Sequence, residues 1–339
     1  MRFGLIGYGA WGKYHARAIG KAEGAELAAI CCKSEATAAA ARGDFPELPV
    51  FRDYRELLAQ PELDVIDIVL PTHLHAEVGV AALESGRDVL LEKPMALNAA
   101  ECDRLIAAAE RTGRVLNIGH ELRLSTQWGT IKDIVEAGEI GDPLYANVSL
   151  FRFPYRKGSE DWRWRRETVG SWILEEPVHF YDFVMWYFER WGDPLSVSAV
   201  GNSIDRESGL YDNFTSIVRF PQGIYAVITQ CIAGFEHHQV MEVVGREGAI
   251  RAWWSGAMDR TLEPTYELKV RRRGQAEPEA LTLAASGEVF ELEEEIRRAV
   301  AAFAERRPLV SGQEAKKRIV ICMEAERALE EGREIELRG

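Results

Sequence analysis

The sequence predicts an α/β chain, with a doubly wound parallel sheet at the N-terminus followed by an α+β domain built on a large, mostly antiparallel sheet. Three observations carry that prediction. A glycine loop, Gly7-Tyr8-Gly9-Ala10-Trp11-Gly12, joins the apolar run 2–6 to a helical stretch at 13–19. Across the first ~120 residues short β-rich runs alternate with alanine-rich helical stretches, the pattern of parallel strands joined by crossover helices. From Leu144 onward alternating strands follow one another at short turns, which reads as an antiparallel sheet.

A length of 339 residues suits two domains, each with its own core. The expected division is 1–121 and 122–339, with the final helix a candidate to pack back on the first domain. Strands of the first domain are expected at 2–6, 27–31, 50–51, 65–69, 88–91 and 115–118. Between the last two, Asn98-x-x-Glu101 reads as a capping box opening a helix through Ala109, with Gly113 placed to end it. Strands of the second domain are expected at 144–150, 216–220, 225–231, 240–244 and 249–253. Pro221-Gln222-Gly223 and Arg246-Glu247-Gly248 supply turn residues for hairpins, and Ser311-x-x-Glu314 caps a final helix of about 18 residues.

Charge and cysteine usage narrow the function classes. With 41 basic and 54 acidic residues the formal charge is −13, which disfavours nucleic acid and anionic membrane surfaces as partners. Arg271-Arg272-Arg273 therefore reads as a solvated strand end. No apolar run approaches the ~18 residues of a membrane span, and a leading strand that carries the glycine loop is no removable signal peptide, so the mature chain is expected to begin at Met1. Five cysteines without a C-x-x-C pair fit reduced thiols in the cytoplasm.

Strand, loop and helix stand in the order a dinucleotide-binding loop needs. Gly7 permits the tight turn, Gly9 lets backbone at Ala10 and Trp11 approach a pyrophosphate, and Gly12 lets helix and strand pack closely. The residue that would hold the adenosine ribose follows the second strand, where an Asp or Glu would mark NAD. Here the chain reads Cys32-Lys33-Ser34, with no carboxylate to repel a 2′-phosphate, so NADP is favoured and NAD is the alternative. Pro71-Thr72-His73-Leu74-His75 follows the fourth strand and is expected beside the nicotinamide; His73-x-His75 has no further ligand cluster, so no metal is expected.

Glu92-Lys93-Pro94 directly follows the apolar run 89–91. A lysine fixed by a following proline at a strand's carboxyl end points toward the crevice where α/β sheets bind ligands. Lys93 is thus the first catalytic candidate, with Glu92 beside it at the cofactor.

These motifs, together with Gly170-Ser171-Trp172-Ile173-Leu174-Glu175-Glu176-Pro177-Val178-His179-Phe180-Tyr181-Asp182, resemble the glucose-fructose oxidoreductase, inositol dehydrogenase and rhizopine-catabolism (Gfo/Idh/MocA) family over nearly the whole length. The resemblance implies a Rossmann domain, hydride transfer between a nicotinamide and a secondary alcohol, and a homodimer or homotetramer joined through the C-terminal sheet. Where that family usually has Asp, three residues and His, this chain has Glu175-x-x-x-His179, a spacing that puts both side chains on one face of a single helix. His179 is then the general acid/base, Lys93 the group polarising the substrate oxygen, and Glu175 the orienter or relay, with the first two roles interchangeable.

Further substrate-facing candidates are His120, Glu121 and Arg123 after the sixth strand, Asp182, and Trp162, Arg163 and Trp164 in the loop 161–166. Indole faces cover sugar C–H surfaces while guanidinium groups bind hydroxyls; the other role open to Trp162 and Trp164 is to anchor the loop or a subunit contact. The leading expectation is an NADP- or NAD-dependent dehydrogenase of a sugar, inositol or related polyol. Two alternatives stand beside it: a glycoside-cleaving enzyme that oxidises its substrate transiently, and a non-catalytic NAD(P)-sensing protein.

Overall fold

The computed structural model describes residues 1–205 and 207–337, and the chain divides into two compact units. The first comprises Met1–Glu121 and Glu291–Ile319; the second comprises Leu122–Phe290 and the chain from Val320.

The sheet of the first unit holds β1 (Arg2–Ile6), β2 (Glu26–Cys31), β3 (Val50–Phe51), β4 (Val65–Ile68), β5 (Asp88–Glu92) and β6 (Leu116–Gly119), all parallel, in the order β3-β2-β1-β4-β5-β6. Chain direction across the sheet reverses between β1 and β4, which is where such sheets open a ligand crevice at their carboxyl ends. The crossovers carry α1 (Gly12–Lys21), α2 (Glu35–Asp44), α3 (Tyr54–Leu58), α4 (His75–Glu84) and α5 (Ala99–Thr112). Phe3, Leu5, Val65, Val89 and Ile118 are fully buried, as strands covered on both faces require. Asn98 accepts from Glu101 N at 3.0 Å, and the helix it opens runs past Ala109 to Thr112 before Gly113 ends it at φ 63°.

In the second unit, after α6 (Trp128–Glu136), come β7 (Pro143–Arg152), the short α7 (Arg166–Val169) and α8 (Trp172–Glu175), α9 (Pro177–Tyr187), and then the strands β8 (Ser196–Asn202), β9 (Asn213–Arg219), β10 (Tyr225–Cys231), β11 (His237–Gly245), β12 (Ala249–Gly256), β13 (Thr265–Arg271) and β14 (Glu279–Ala280). With β15 (Ile335–Glu336) they form a nine-stranded sheet, β14-β13-β12-β11-β7-β10-β9-β8-β15, antiparallel except where β10 runs parallel to β7. Burial alternates along it. Ala146, Val148 and Leu150 of β7 and Ala226 and Ile228 of β10 face the core, as period-two patterning demands.

Two helices close the chain, α10 (Glu288–Ala304) and α11 (Gly312–Glu331). In the first unit Leu292, Ile296, Ala299 and Phe303 of α10 pack in one cluster with Phe3, Leu5, Ala16 and Ile19. α11 opens on a reciprocal capping box: Glu314 N donates to Ser311 Oγ at 3.2 Å and Ser311 N to Glu314 Oε2 at 3.0 Å.

Candidate functional site

The glycine loop leaves β1 for α1 with each glycine in a different setting. Gly7 has φ 109°, and a Cβ there would stand 2.1 Å from the Val69 carbonyl oxygen; one at Gly12 would stand 2.0 Å from that of Gly7. Both positions exclude any side chain. At Gly9 a Cβ would meet nothing within 4 Å, so its bareness leaves room for something other than protein. Trp11 at the N-cap of α1 gives no side-chain hydrogen bond to the helix N-terminus, where N–H groups suit a pyrophosphate. These residues fit a dinucleotide.

After β2, Ser34 caps α2 by accepting from Thr37 N at 3.1 Å. Lys33 is exposed, and its carbonyl takes two hydrogen bonds from the Arg52 guanidinium, with Nε at 3.1 Å. Arg52 also pairs with Glu35. Arg52 has no local signal, because β3 is two residues long and the arginine follows it outside any motif. Burial pushes the Cys32 thiol up, so it adds no charge there.

At the carboxyl end of β5 the Glu92 carboxylate turns inward. Its Oε1 accepts from Trp11 Nε1 at 2.8 Å and lies 3.0 Å from His15 Nε2, while Oε2 accepts from the Lys93 amide at 3.0 Å. His15 Nδ1 lies 2.8 Å from Asp67 Oδ2 on β4. Burial opposes a charge on His15, but Asp67 and Glu92 overcome it and push its pKa up to about 10. Glu92 is held below the usual carboxylate range, since His15, Lys93 and Trp11 outweigh its burial. Burial and the Glu92 charge drive the carboxyl of Glu295, on α10, well up from its usual range.

His75 is buried, with Nδ1 2.8 Å from the Pro94 carbonyl and Nε2 2.8 Å from the Leu70 carbonyl. It thus joins the Lys93-Pro94 turn to the end of β4. Thr72 beside it is buried and Pro71 half-buried, and His120 and Glu121 are buried at the end of β6.

In the second unit, the single helix expected to carry Glu175 and His179 is two. α8 ends at Glu175, Glu176 leaves helical geometry at φ −124° and ψ −43°, and Pro177 starts α9 as its first residue. Proline has no N–H to continue the α8 hydrogen-bond ladder, so the four-residue spacing does not stack the two side chains on one helical face. Glu175 is ion-paired with Arg163 instead. His179 is 3% exposed on the first turn of α9. One turn on, Asp182 accepts from Arg123 Nε at 2.7 Å and Nη2 at 2.6 Å, a bidentate pair beneath the Trp186 ring.

Trp162 and Trp164 take the anchoring role. Trp162 belongs to a core cluster with Tyr155, Val169, Trp172, Leu210 and Ile232, and Trp164 packs against that cluster with its indole N–H donating to the Tyr155 carbonyl at 3.0 Å. Arg163 lies over the Trp162 ring, 4.4 Å from its centroid. Beside this cluster is a charged group absent from the sequence reading: Arg152 donates to Glu176 at 2.5 Å and lies 3.3 Å from Asp259, which Arg156 also reaches at 3.0 Å. Although buried, Asp259 is pulled down to about 2 by Arg152, Arg260 and Arg156, whereas burial lowers His237 to about 4 and keeps it neutral. Strand alternation could have found Arg152, which shares the inward face of β7 with Ala146, Val148 and Leu150.

Residues 1–120 match the model of an oxidoreductase family with an NAD-binding Rossmann fold, GFO_IDH_MocA, and residues 128–251 match the GFO/IDH/MocA C-terminal domain. The chain belongs to the GFO/IDH/MocA oxidoreductase family. Among relatives it is 40% identical over 143 residues to an oxidoreductase of Rhizobium meliloti, covering 42% of this chain and 43% of the relative. It is 34% identical over 147 residues to inositol 2-dehydrogenase of Salmonella typhimurium, covering 42% and 44%. The chain therefore spans less than half the length of these two curated relatives. A solved levoglucosan dehydrogenase, in complex with NADH and levoglucosan, shares the fold over 100% of both chains at a TM-score of 0.84 and 20% identity.

Proposed function

We propose that this protein is a dehydrogenase that moves a hydride between NADP and a secondary hydroxyl of a sugar, an inositol or a related polyol. The observation that most supports it is the Trp11–Glu92 hydrogen bond at 2.8 Å, which ties the glycine loop to the residue before Lys93, as a lysine acting beside a dinucleotide requires. When bound, the nicotinamide supplies the hydride acceptor or donor. The chain's residues manage the oxygen and its proton: Lys93 donates a hydrogen bond to the reacting oxygen and His179 takes or returns the hydroxyl proton. Glu175, steadied by Arg163, orients rather than relays. Arg123 and Asp182, locked to each other, shape the substrate side together with His120.

Preference for NADP is supported by the same strand end that lacks a carboxylate. Lys33, Ser34 and Arg52 offer an ammonium, a hydroxyl and a guanidinium to a 2′-phosphate, and Arg52 would exchange its contact with Glu35 for it. The similarly folded levoglucosan dehydrogenase and the Salmonella inositol dehydrogenase suggest polyhydroxylated substrates. A homodimer or homotetramer through the nine-stranded sheet is supported by partly exposed aromatic pairs, Tyr145–Tyr225 between β7 and β10 and Phe151 of β7 with Phe235 of the loop before β11, each 5.1 Å between centroids.

The test is to mix purified protein with NADP+ or NAD+ and a panel of sugars and inositols and follow reduced-nicotinamide absorbance. Turnover with at least one polyol, at lower NADP+ than NAD+ concentration, is expected. Absence of turnover across the panel with both cofactors sinks the proposal.

A further inference from the structure

We infer that His15 is a positioning residue that fixes the glycine loop and Lys93 together, through the single carboxylate of Glu92. The inference rests on the hydride-transfer reading above and adds to it a part for a residue outside every motif used there.

His15 lies on the first turns of α1 and is 1% exposed. Both of its ring nitrogens meet carboxylate oxygens, Asp67 at 2.8 Å and Glu92 at 3.0 Å. With both carboxyls ionised, filling both contacts takes a ring that donates from both nitrogens, the imidazolium, although burial raises the Asp67 carboxyl above its usual range against the pull of His15. An ion set this deep survives only when its hydrogen bonds are satisfied, and a buried carboxylate left without its cation is expelled, protonated or displaced. His15 is the cation in contact with Glu92, while burial and the Glu92 charge raise the Glu295 carboxyl well above its usual range. The Glu92 carboxylate therefore keeps its charge and its place through His15.

A core ion pair of this kind would be structural alone if its remaining bonds led nowhere. Those of Glu92 lead to two working elements. Trp11, whose indole N–H donates to one oxygen, is the N-cap of the helix whose N-terminus suits dinucleotide phosphates; the Lys93 amide, which donates to the other, is the backbone from which the proposed polarising amine extends. Asp67 on β4 anchors the far side of the imidazolium, so the strut is braced against the sheet. Displacement of Glu92 moves the loop and the lysine at once, and a shift of about 1 Å at a reacting group costs up to about a hundredfold in rate.

The experiment compares the native enzyme with His15→Asn and Trp11→Phe, measuring dinucleotide Kd by titration, kcat and polyol KM, and Tm. Asparagine keeps one donor but cannot span both carboxylates; phenylalanine removes the indole N–H from Glu92 and keeps a smaller aromatic ring beside Tyr14 and His15. The expected result for His15→Asn is a Kd for NADP+ raised about tenfold with kcat lowered at least about tenfold and polyol KM changed less than about threefold. Trp11→Phe is expected to lower kcat at saturating dinucleotide as well as raise Kd. If His15→Asn lowers Tm while Kd and kcat stay within about twofold of native, His15 is merely structural and the inference is overturned. Should His15→Asn fail to fold, Trp11→Phe decides: a changed Kd with native kcat at saturation overturns the link to Lys93. Lys93→Ala separates the two readings, since native kcat there sinks the role of Lys93 itself, whereas an inactive Lys93→Ala beside an unimpaired His15→Asn sinks the strut alone.

Discussion

A methyl group added at Gly12 would stand 2.0 Å from the Gly7 carbonyl oxygen, while one added at Gly9 would meet nothing within 4 Å. Two glycines of one motif thus answer to different demands, fold and ligand, and their variants should separate cleanly. Gly12→Ala is expected to destabilise the protein by at least about 1–3 kcal/mol through overpacking against backbone, read from its Tm or denaturant midpoint. Gly9→Ala should leave the Tm near native and weaken dinucleotide binding about tenfold, because its methyl occupies the pyrophosphate's approach. Arg52→Ala should raise the Kd for NADP+ about tenfold and that for NAD+ less than about threefold, since only NADP carries the phosphate that a guanidinium would hold. Equal loss for both cofactors would remove Arg52 from the specificity argument. Lys93 and the loop were legible in sequence because each stands in a motif next to an apolar strand. Arg52, His15 and Glu295 were not, since nothing in their local spacing tells which distant carboxylate, carbonyl or ligand the fold will bring to them.

Helix ends were legible where the signal is local. Asn98 and Ser311 both cap their helices, but only the Ser311 box is reciprocal, since the Glu101 side chain accepts from Leu97 N rather than from Asn98 N. Ser311→Ala is expected to cost about 1 kcal/mol in chemical denaturation, the usual worth of an N-cap. The four-residue spacing of Glu175 and His179 predicts one continuous helix, but Pro177 divides that stretch into α8 and α9. α10 went unread altogether, although Leu292, Ile296, Ala299 and Phe303 recur at helical spacing. Its acidic run at 291–295 looks like a solvated face, yet Glu291 and Glu295 are 2% and 1% exposed, so polarity in the sequence hid a buried helix. Ile296→Ala should cost about 2–5 kcal/mol, as for other fully buried aliphatic side chains. A cost below that range would show that α10 contributes little to the core of the first unit.

At the scale of the molecule, both sheets follow from the sequence's two textures, continuous apolar runs before about residue 120 and alternation after Leu144. The edge strands β14 and β15, two residues each, are too short to carry a pattern, whereas β8 and β13, seven residues each beside them, mix burial irregularly along their length. Acidic charge is not spread only over the surface. Glu326 on α11 is raised by burial to about 7, against the pull of Arg166 and with Glu330 adding to the rise. A carboxyl whose pKa is higher folded than unfolded contributes stability fully present below its unfolded value, near 4.5, and lost as pH rises through about 7. Unfolding free energy should therefore fall between those values by no more than about 3 kcal/mol from this group, and Glu326→Gln should flatten the fall. An unchanged profile in that variant would assign the slope elsewhere. The central claim, that the molecule transfers a hydride from a polyol carbon to NADP+, is tested most directly by incubating it with NADP+ and a polyol substrate deuterated at carbon, then weighing the reduced dinucleotide. The account predicts one deuterium in each NADPH formed, whereas NADPH without deuterium, or none formed while the polyol is consumed, would contradict it.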